Sequence, residues 1–134
     1  MFNKFERGGD PYRKLDVGKI VLIDKWFSDL GISSDKYTID KDFNINVYGD
    51  LDLSGTKITS LPDNLNVGWD LDLSYTKIIS LPNNLSVEWS LYLYGTKITS
   101  LPDNLSVEGN IWLDKDRRDK VYVPKHLKKK VELH

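Results

Sequence analysis

The sequence contains no cysteine, one methionine and two histidines among its 134 residues. Without cysteine the chain has no disulfide, no thiolate metal ligand and no cysteine nucleophile, and His126 and His134 are too few for a typical zinc site or a Ser-His-Asp triad. No apolar run reaches the length of a membrane span, and the opening letters "MFNKFERGGD" lack the apolar stretch of a secretory signal. We therefore expect a cytoplasmic chain that contacts no membrane, binds no metal or cofactor, and is not an enzyme.

Charge is distributed unevenly, although the net charge is −1. Positions 1–49 carry eight basic and eight acidic residues, whereas positions 50–109 carry three lysines and eight acidic residues, a charge of −5. Positions 110–134 carry eight basic and four acidic residues, a charge of +4. Acidic repeats argue against a nucleic acid as their partner, because its backbone needs clustered positive charge. The runs "DKDRRDK" and "KHLKKK" leave nucleic-acid contact through the C-terminal segment as an alternative to a solvated basic cap.

One stretch of the sequence is repeated three times in succession. "DLDLSGTKITSLPDNLNVGW" at 50–69 returns as "DLDLSYTKIISLPNNLSVEW" at 70–89 and as "SLYLYGTKITSLPDNLSVEG" at 90–109. A fixed period near 20 residues is typical of a solenoid, in which each coil buries its apolar side against its neighbours. The constant apolar positions are predicted to form the core, and they are Leu51, Leu53, Ile58, Leu61, Leu65, Val67, Leu71, Leu73, Ile78, Leu81, Leu85, Val87, Leu91, Leu93, Ile98, Leu101, Leu105 and Val107.

Each repeat also indicates its own local structure. The alternation in Leu-x-Leu predicts a short strand that pairs in parallel with the same strand of the next repeat. Pro62, Pro82 and Pro102 turn the chain on the opposite side, and the hydroxyls of Thr56, Thr76 and Thr96 are placed to cap backbone groups after the strand. The Leu-x-Val segment is a candidate second strand, which would make the coil triangular rather than horseshoe-shaped.

The pattern "LxLxxTxIxxLPxxLxV" at 50–113 resembles the bacterial and phage variants of the leucine-rich repeat, with Thr where Asn is usual. Secreted bacterial leucine-rich effectors carry a second "LP" in each unit and often a ubiquitin-ligase domain with a catalytic cysteine, and this chain has neither. The stretches "GGDPYRKLDVGKIVLIDKWFSDLGI" and "YTIDKDFNINVYGDLDL" resemble the N-terminal part of small phage and prophage repeat proteins. That resemblance implies a phage origin without implying an activity.

Both ends of the repeat array are predicted to be caps, so that 1–134 forms a single domain with a helix and strand cap at 1–49, repeats at 50–113 and a C-terminal cap at 114–134. Apolar residues at helical spacing predict an amphipathic helix from Val17 to Leu30 that covers the first coil, with Asp16 as its N-cap and Gly31 as its stop. A turn at 40–42 is expected to join "YTI" to a strand formed by Phe43, Ile45 and Val47.

At the C-terminal end, Ile111 and Leu113 continue the Leu-x-Leu pattern. The next Val-Pro pair, Val123–Pro124, comes two residues late, which predicts a fourth repeat with an enlarged turn. The residues Val131 and Leu133 are predicted to add a last edge strand.

Information about a partner is expected in the outward positions of the Leu-x-Leu strands, because the inward positions are fixed by stacking. These positions change from acidic to aromatic along the chain, and the candidate partner-binding residues are Asp52, Asp72, Tyr75, Tyr92, Tyr94, Trp112 and Asp114. Exposed aromatic residues on a rigid sheet are typical anchors of protein interfaces, whereas the alternative is that Tyr92 and Trp112 only pack on each other across the strands. Trp69 and Trp89 are interpreted as a second row that stacks.

Two functions follow as hypotheses. The first is a monomeric, non-catalytic protein-binding module, in which a phage-encoded chain blocks a host protein, such as a component of bacterial immunity, by occupying it. The second is a structural or self-assembling role in a virion, through an end of the solenoid and dependent on Val131 and Leu133. Like charges lie on neighbouring strands at Asp50, Asp52, Asp70 and Asp72 and favour a basic partner. A Ca²⁺ site is the alternative that the sequence leaves open, although no EF-hand-like loop is present.

Overall fold

The computed structural model of the chain describes residues 13–134, with side chains from Val17 onward. It divides into two compact units, Met1–Lys36 and Tyr37–His134. In its described part the first contains the helix α1 and a 3-10 helix at Ser34–Lys36, and the second contains ten short strands, β1 to β10, and two 3-10 helices. The structure confirms a β-rich chain with parallel sheets and one N-terminal helix.

Helix α1 spans Arg13–Asp29, so it begins before the predicted Val17 and the predicted N-cap, Asp16, is wrong because this residue lies inside the helix. Apolar spacing marked only the amphipathic part, whereas Arg13, Lys14 and Leu15 are good helix formers that extend it. Gly31 ends the helix as predicted: its φ is 76°, its N–H donates to the Ser28 carbonyl at 2.9 Å, and the Ile32 N–H donates to the Phe27 carbonyl at 3.0 Å. The placement of α1 over the first repeat stays a prediction.

The second unit is built from two five-stranded sheets. In the first sheet the order is β1-β2-β4-β6-β8, with β1 (Tyr37–Ile39), β2 (Ile45–Val47), β4 (Leu65–Val67), β6 (Ser86–Val87) and β8 (Ser106–Val107). In the second sheet the order is β10-β9-β7-β5-β3, with β3 (Leu51–Asp52), β5 (Leu71–Asp72), β7 (Leu91–Tyr92), β9 (Ile111–Leu113) and β10 (Val131–Leu133). All neighbours pair in parallel except β1 and β2, which are antiparallel.

The 20-residue period sets the register of both sheets. Leu51 pairs with Leu71 and Leu71 with Leu91, while Val67 pairs with Val87 in the other sheet. The predicted core residues are buried, except that Ile58 is only half-buried. In each of the three repeats at 50–109, the Leu-x-Val segment contributes a second strand.

The turns after the second-sheet strands follow the predicted chemistry. The hydroxyls of Thr56, Thr76 and Thr96 donate to the carbonyls three residues earlier, at 2.7, 2.7 and 2.8 Å. These bonds satisfy a carbonyl at the point where each strand ends.

The prediction that Phe43 belongs to a strand is wrong. Its φ is 63°, and β2 begins only at Ile45. The carboxylate of Asp40 accepts hydrogen bonds from the N–H groups of Asp42 at 2.9 Å and Asn44 at 3.0 Å, which closes the turn around Phe43. The chain becomes extended only after this turn.

The fourth repeat is enlarged as predicted. Ser100 bridges Tyr122, a separation of 22 residues, whereas Ile111 pairs with Val131 at the usual separation of 20. A short 3-10 helix at Lys115–Arg117 accommodates the additional residues, and a second 3-10 helix at Lys125–Lys130 replaces the Leu-x-Val strand. The predicted edge strand is β10, paired with β9.

Candidate functional site

The outward positions of the second sheet form one continuous row. Asp52 pairs with Asp72, Asp72 with Tyr92, and Tyr92 with Trp112. The leucines and isoleucine on either side point inward and are buried, so the row faces outward. We call Asp52, Asp72, Tyr92 and Trp112 the outer row.

The aromatic half of the outer row is a packed cluster of rings. Tyr92 and Trp112 are stacked, with ring centroids 6.3 Å apart and planes 5° from parallel. Tyr94 lies 6.3 Å from Tyr92 and 6.1 Å from the ring of His134. Tyr92, Tyr94 and Trp112 are half-buried, so the rings both support one another and present part of their surface to solvent.

Tyr75 is the most exposed of the predicted aromatic residues, at 69%. It lies in the turn after β5 with a φ of 60°, a conformation in which the other repeats have Gly55 and Gly95. Its ring covers Gly95 so closely that a Cβ atom on Gly95 would overlap the ring. Tyr75 is therefore held by contact with the next repeat.

The acidic half is organised by hydrogen bonds that run from one repeat to the next. The carboxylate of Asp50 accepts from the N–H of Asp70 at 2.9 Å, and the carboxylate of Asp70 accepts from the N–H of Ser90 at 2.9 Å. The hydroxyl oxygen of Ser90 accepts from the N–H of Asn110 at 3.1 Å. Backbone N–H groups thus stabilise two of the carboxylates, Asp50 and Asp70, for which the sequence analysis expected a basic partner.

The two carboxylates of the outer row cap their own strand ends. Asp52 Oδ1 accepts from the Ser54 N–H at 3.0 Å and from its hydroxyl at 2.6 Å, and Asp72 Oδ1 accepts from the Ser74 N–H at 2.9 Å. The hydrogen bonds from Ser54, first from the hydroxyl and then from the N–H, lower the pKa of Asp52 below its usual value of 3.8. Asp52 therefore stays ionised at neutral pH.

The carboxylates also affect the neighbouring phenol. Partial burial raises the pKa of Tyr92, and the charges of Asp70, Asp72 and Asp50 add to this effect. Both causes disfavour a phenolate, so Tyr92 presents a neutral hydroxyl beside the carboxylates.

Asp114, the last of the predicted partner-binding residues, has a structural contact. Its Oδ2 accepts from the Gly95 N–H at 2.7 Å, and it is half-buried. It caps the turn on which the Tyr75 ring lies.

Sequence reasoning missed two residues that the structure adds to this face. Glu132 pairs with Trp112 and extends the outer row, and His134 contacts Tyr94. The spacing of Val131 and Leu133 was a sufficient signal, because it places Glu132 between two inward residues as Asp52 lies between two leucines.

The second predicted aromatic pair is confirmed as a stack. Trp69 and Trp89 have centroids 5.8 Å apart and planes 19° from parallel, and they are 54% and 60% exposed. They lie outside the outer row, at the residues that precede Asp70 and Ser90.

A groove of about 160 Å³ follows the acidic half, lined by Asp50, Leu51, Asp52, Asp70, Asp72 and Tyr92. Among residues 13–134, no three histidine, aspartate or glutamate side chains are grouped to hold a metal ion. Within the same part of the chain, no helix has the length and apolar character that crossing a membrane requires.

No protein-family model, curated protein or solved structure matches the chain.

Proposed function

We propose that Tyr37–His134 is a leucine-rich-repeat-like solenoid with triangular coils. The 20-residue register of both sheets supports the stacking of equivalent coils, and the presence of a strand in each Leu-x-Val segment favours triangular over horseshoe-shaped coils. Such a scaffold holds its outward side chains at fixed strand spacing.

We propose further that the chain is a non-catalytic protein-binding module, whose contact surface is the outer row together with Tyr75, Tyr94 and Asp114. The observation that carries this proposal is the cluster of half-exposed, mutually packed rings at Tyr92, Tyr94 and Trp112. Rings that are already ordered lose little side-chain entropy when a partner covers them, which is why aromatic residues dominate interface energetics.

The kind of partner rests on the phage-like opening segment. We propose that the partner is a bacterial host protein, such as a defence component, and that the chain inhibits it by occupying its surface. Inhibition by occupancy requires shape and affinity without catalytic groups, which is compatible with a chain that lacks cysteine and has two histidines.

The test compares two variants that each remove one stacked aromatic pair. Tyr92→Ala/Trp112→Ala removes the pair in the outer row, and Trp69→Ala/Trp89→Ala removes a comparable pair outside it. A protein captured from bacterial lysate by the wild-type chain is purified and titrated against both variants by calorimetry. We expect the first variant to bind at least about 30-fold more weakly, since two hot-spot residues are lost, and the second to bind like the wild type.

Folding is checked first, by circular dichroism and urea unfolding of both variants. The proposal is wrong if a folded outer-row variant binds as tightly as the wild type. It is equally wrong if both variants lose binding to the same extent, because the outer row would then have no special role.

A further inference from the structure

Two oppositely charged surfaces lie at different places in the second unit. The acidic surface is Asp50, Asp52, Asp70 and Asp72, on and just before β3 and β5, around the groove of about 160 Å³. No lysine, arginine or histidine of residues 17–134 lies within ion-pair distance of these four carboxylates. Their backbone hydrogen bonds leave the net charge of the surface in place.

The basic surface is Lys125, Lys128 and Lys129 on the 3-10 helix Lys125–Lys130. These three lysines are exposed, and over the same side chains from Val17 onward no carboxylate pairs with them. A broad groove of about 740 Å³ beside the helix is lined by Asp103, Tyr122, Pro124, Lys125, His126 and Lys129. The surface is therefore accessible and largely uncompensated, with Asp103 as its one acidic neighbour in the groove.

The helix that carries the basic surface is fixed to the repeats by other groups. Lys130 Nζ donates to the Glu108 carbonyl at 3.1 Å, His126 Nε2 is 3.0 Å from the Leu105 carbonyl, and the side chain of Leu127 is buried. The three exposed lysines are thus presented on an anchored helix rather than on a free terminus.

The two surfaces are too far apart to neutralise each other within one chain. The 3-10 helix leads directly into β10, which is at one edge of the second sheet, whereas β3 is at the other edge and β5 is next to it. Three to four strand spacings separate β10 from β5 and β3, which is roughly 14 to 19 Å. At about 0.1 M salt the Debye length is about 10 Å, so attraction over this distance is largely screened.

We propose that the acidic surface of one copy docks on the basic surface of a second copy. In this contact the aspartates of one copy face the lysines of the other, so the two surfaces are complementary in charge. The net charge of each chain is −1, which leaves little overall repulsion between copies. Each copy has one surface of each sign, and in the proposed contact the copies are arranged head to tail, so that the free surfaces at the two ends recruit further copies.

The docked copy covers the acidic half of the outer row. A partner that binds the outer row therefore competes with self-association. The self-association itself does not depend on any partner, so it is testable whether or not the proposed function is correct.

Sedimentation velocity of the full chain tests the contact over a range of protein concentrations. At about 0.01 M ionic strength, where the Debye length is about 30 Å, we expect the weight-average mass to rise with concentration. At about 1 M, where it is about 3 Å, we expect one chain at every concentration. A single chain in both salts, or association that salt does not weaken, overturns the proposal.

Two variants assign the surfaces. Asp52→Asn/Asp72→Asn keeps the oxygen acceptors for Ser54 and Ser74 while removing two charges, and we expect it to weaken self-association about tenfold at low salt. Asp42→Asn/Asp63→Asn removes the same charge outside the acidic surface and is expected to associate like the wild type. Equal effects of the two variants would contradict the proposal.

Complementation provides the decisive measurement. Lys125→Glu/Lys128→Glu/Lys129→Glu keeps the acidic surface but loses the basic one, so alone it is expected to be a monomer. The Asp52→Asn/Asp72→Asn variant keeps the basic surface. Mixed at low salt, the two are expected to form a 1:1 dimer that grows no further, and the absence of this dimer, or growth to larger species, overturns the head-to-tail contact.

Discussion

At the scale of single residues, Gly95 is under two separate constraints. Its φ of 67° is in the left-handed region, and the Tyr75 ring occupies the space where a Cβ atom would lie. Gly55, at the equivalent position, has a φ of 71° but no atom within 4 Å of that space. Alanine at Gly55 therefore measures the cost of backbone strain alone, whereas alanine at Gly95 measures strain together with steric overlap.

We expect Gly55→Ala to lower the free energy of unfolding by about 1 kcal/mol, because only the backbone is strained. Gly95→Ala is expected to lower it by about 2 to 4 kcal/mol, since the ring must also move. Urea unfolding measures both values. In a Tyr75→Gly background the difference between the two alanine variants should vanish, and a difference that persists would show that the ring is not the cause.

A second residue-scale prediction concerns the Asp52 carboxyl. Its pKa is lowered by hydrogen bonds to the charged form. The stability that these bonds contribute is therefore fully present above the usual pKa of 3.8 and is lost as the pH falls through the lower pKa of the folded state. Ser54→Ala removes the hydroxyl donor and should raise the Asp52 pKa toward 3.8, measured by NMR titration.

Asp40 serves as the internal reference in that titration. Its pKa is also lowered, chiefly by the Asn44 side chain, and Ser54→Ala should leave it unchanged. Ser74→Ala is the matched control variant: it removes a buried hydroxyl that has no hydrogen-bond partner, and it should leave the Asp52 pKa unchanged. An Asp52 pKa that stays low in Ser54→Ala would show that the hydroxyl is not the main cause.

At the scale of elements, neighbouring repeats are joined before each second-sheet strand by a ladder of side-chain acceptors, Asp50, Asp70 and Ser90. Each acceptor binds the N–H group 20 residues later, so the ladder reinforces the strand register from outside the core. The acceptor is an aspartate in two repeats and a serine in the third, so this position requires an acceptor oxygen rather than a particular residue type.

We expect Asp70→Ala to destabilise the fold by about 0.5 to 1.5 kcal/mol, because the Ser90 N–H loses its acceptor in a half-buried position. Asp70→Ser should cost much less, since it reproduces the group that Ser90 offers to Asn110. Thermal unfolding of the two variants gives the comparison. Equal losses would mean that the charge of Asp70, rather than its acceptor oxygen, stabilises the repeat.

At the scale of the whole molecule, the fold depends on equivalence between repeats. Leu71 has the same partners on both sides, Leu51 and Leu91, and the bond from Tyr75 N–H to the Tyr94 carbonyl matches that from Gly55 N–H to the Ser74 carbonyl. A complete repeat is therefore removable in principle, because its two neighbours are complementary to each other.

Deleting residues 70–89 should give a folded protein in which β3 pairs with β7. We expect retained β-sheet circular dichroism and a cooperative urea transition whose m-value is smaller than that of the full chain, because less surface is exposed on unfolding. Deleting only 70–79 removes half a repeat and is expected to prevent folding. If both deletions unfold the chain, the proposed solenoid is wrong.

The sequence by itself determined the features that recur at a fixed period: the inward leucines and valines, the parallel pairing of the Leu-x-Leu strands and the threonine caps, whereas the second strand in the Leu-x-Val segments was only one of two alternatives until the structure showed it. Helix α1 was foreseen from apolar spacing, but its first residues were not, because that signal ends where the apolar stripe ends. The turn at 40–42 was predicted, but Phe43 was wrongly assigned to the following strand because the alternation of Phe43, Ile45 and Val47 outweighed the turn chemistry of Asp40.

Only the tertiary structure decided which polar groups meet. Asp50 and Asp70 are bonded to backbone N–H groups of the next repeat, and the ring of His134 contacts Tyr94. These contacts join groups about one repeat apart, so no local pattern specifies them. Apolar periodicity determines which residues face inward, whereas hydrogen bonds and ring contacts depend on distances between neighbouring coils that exist only after the coils have stacked.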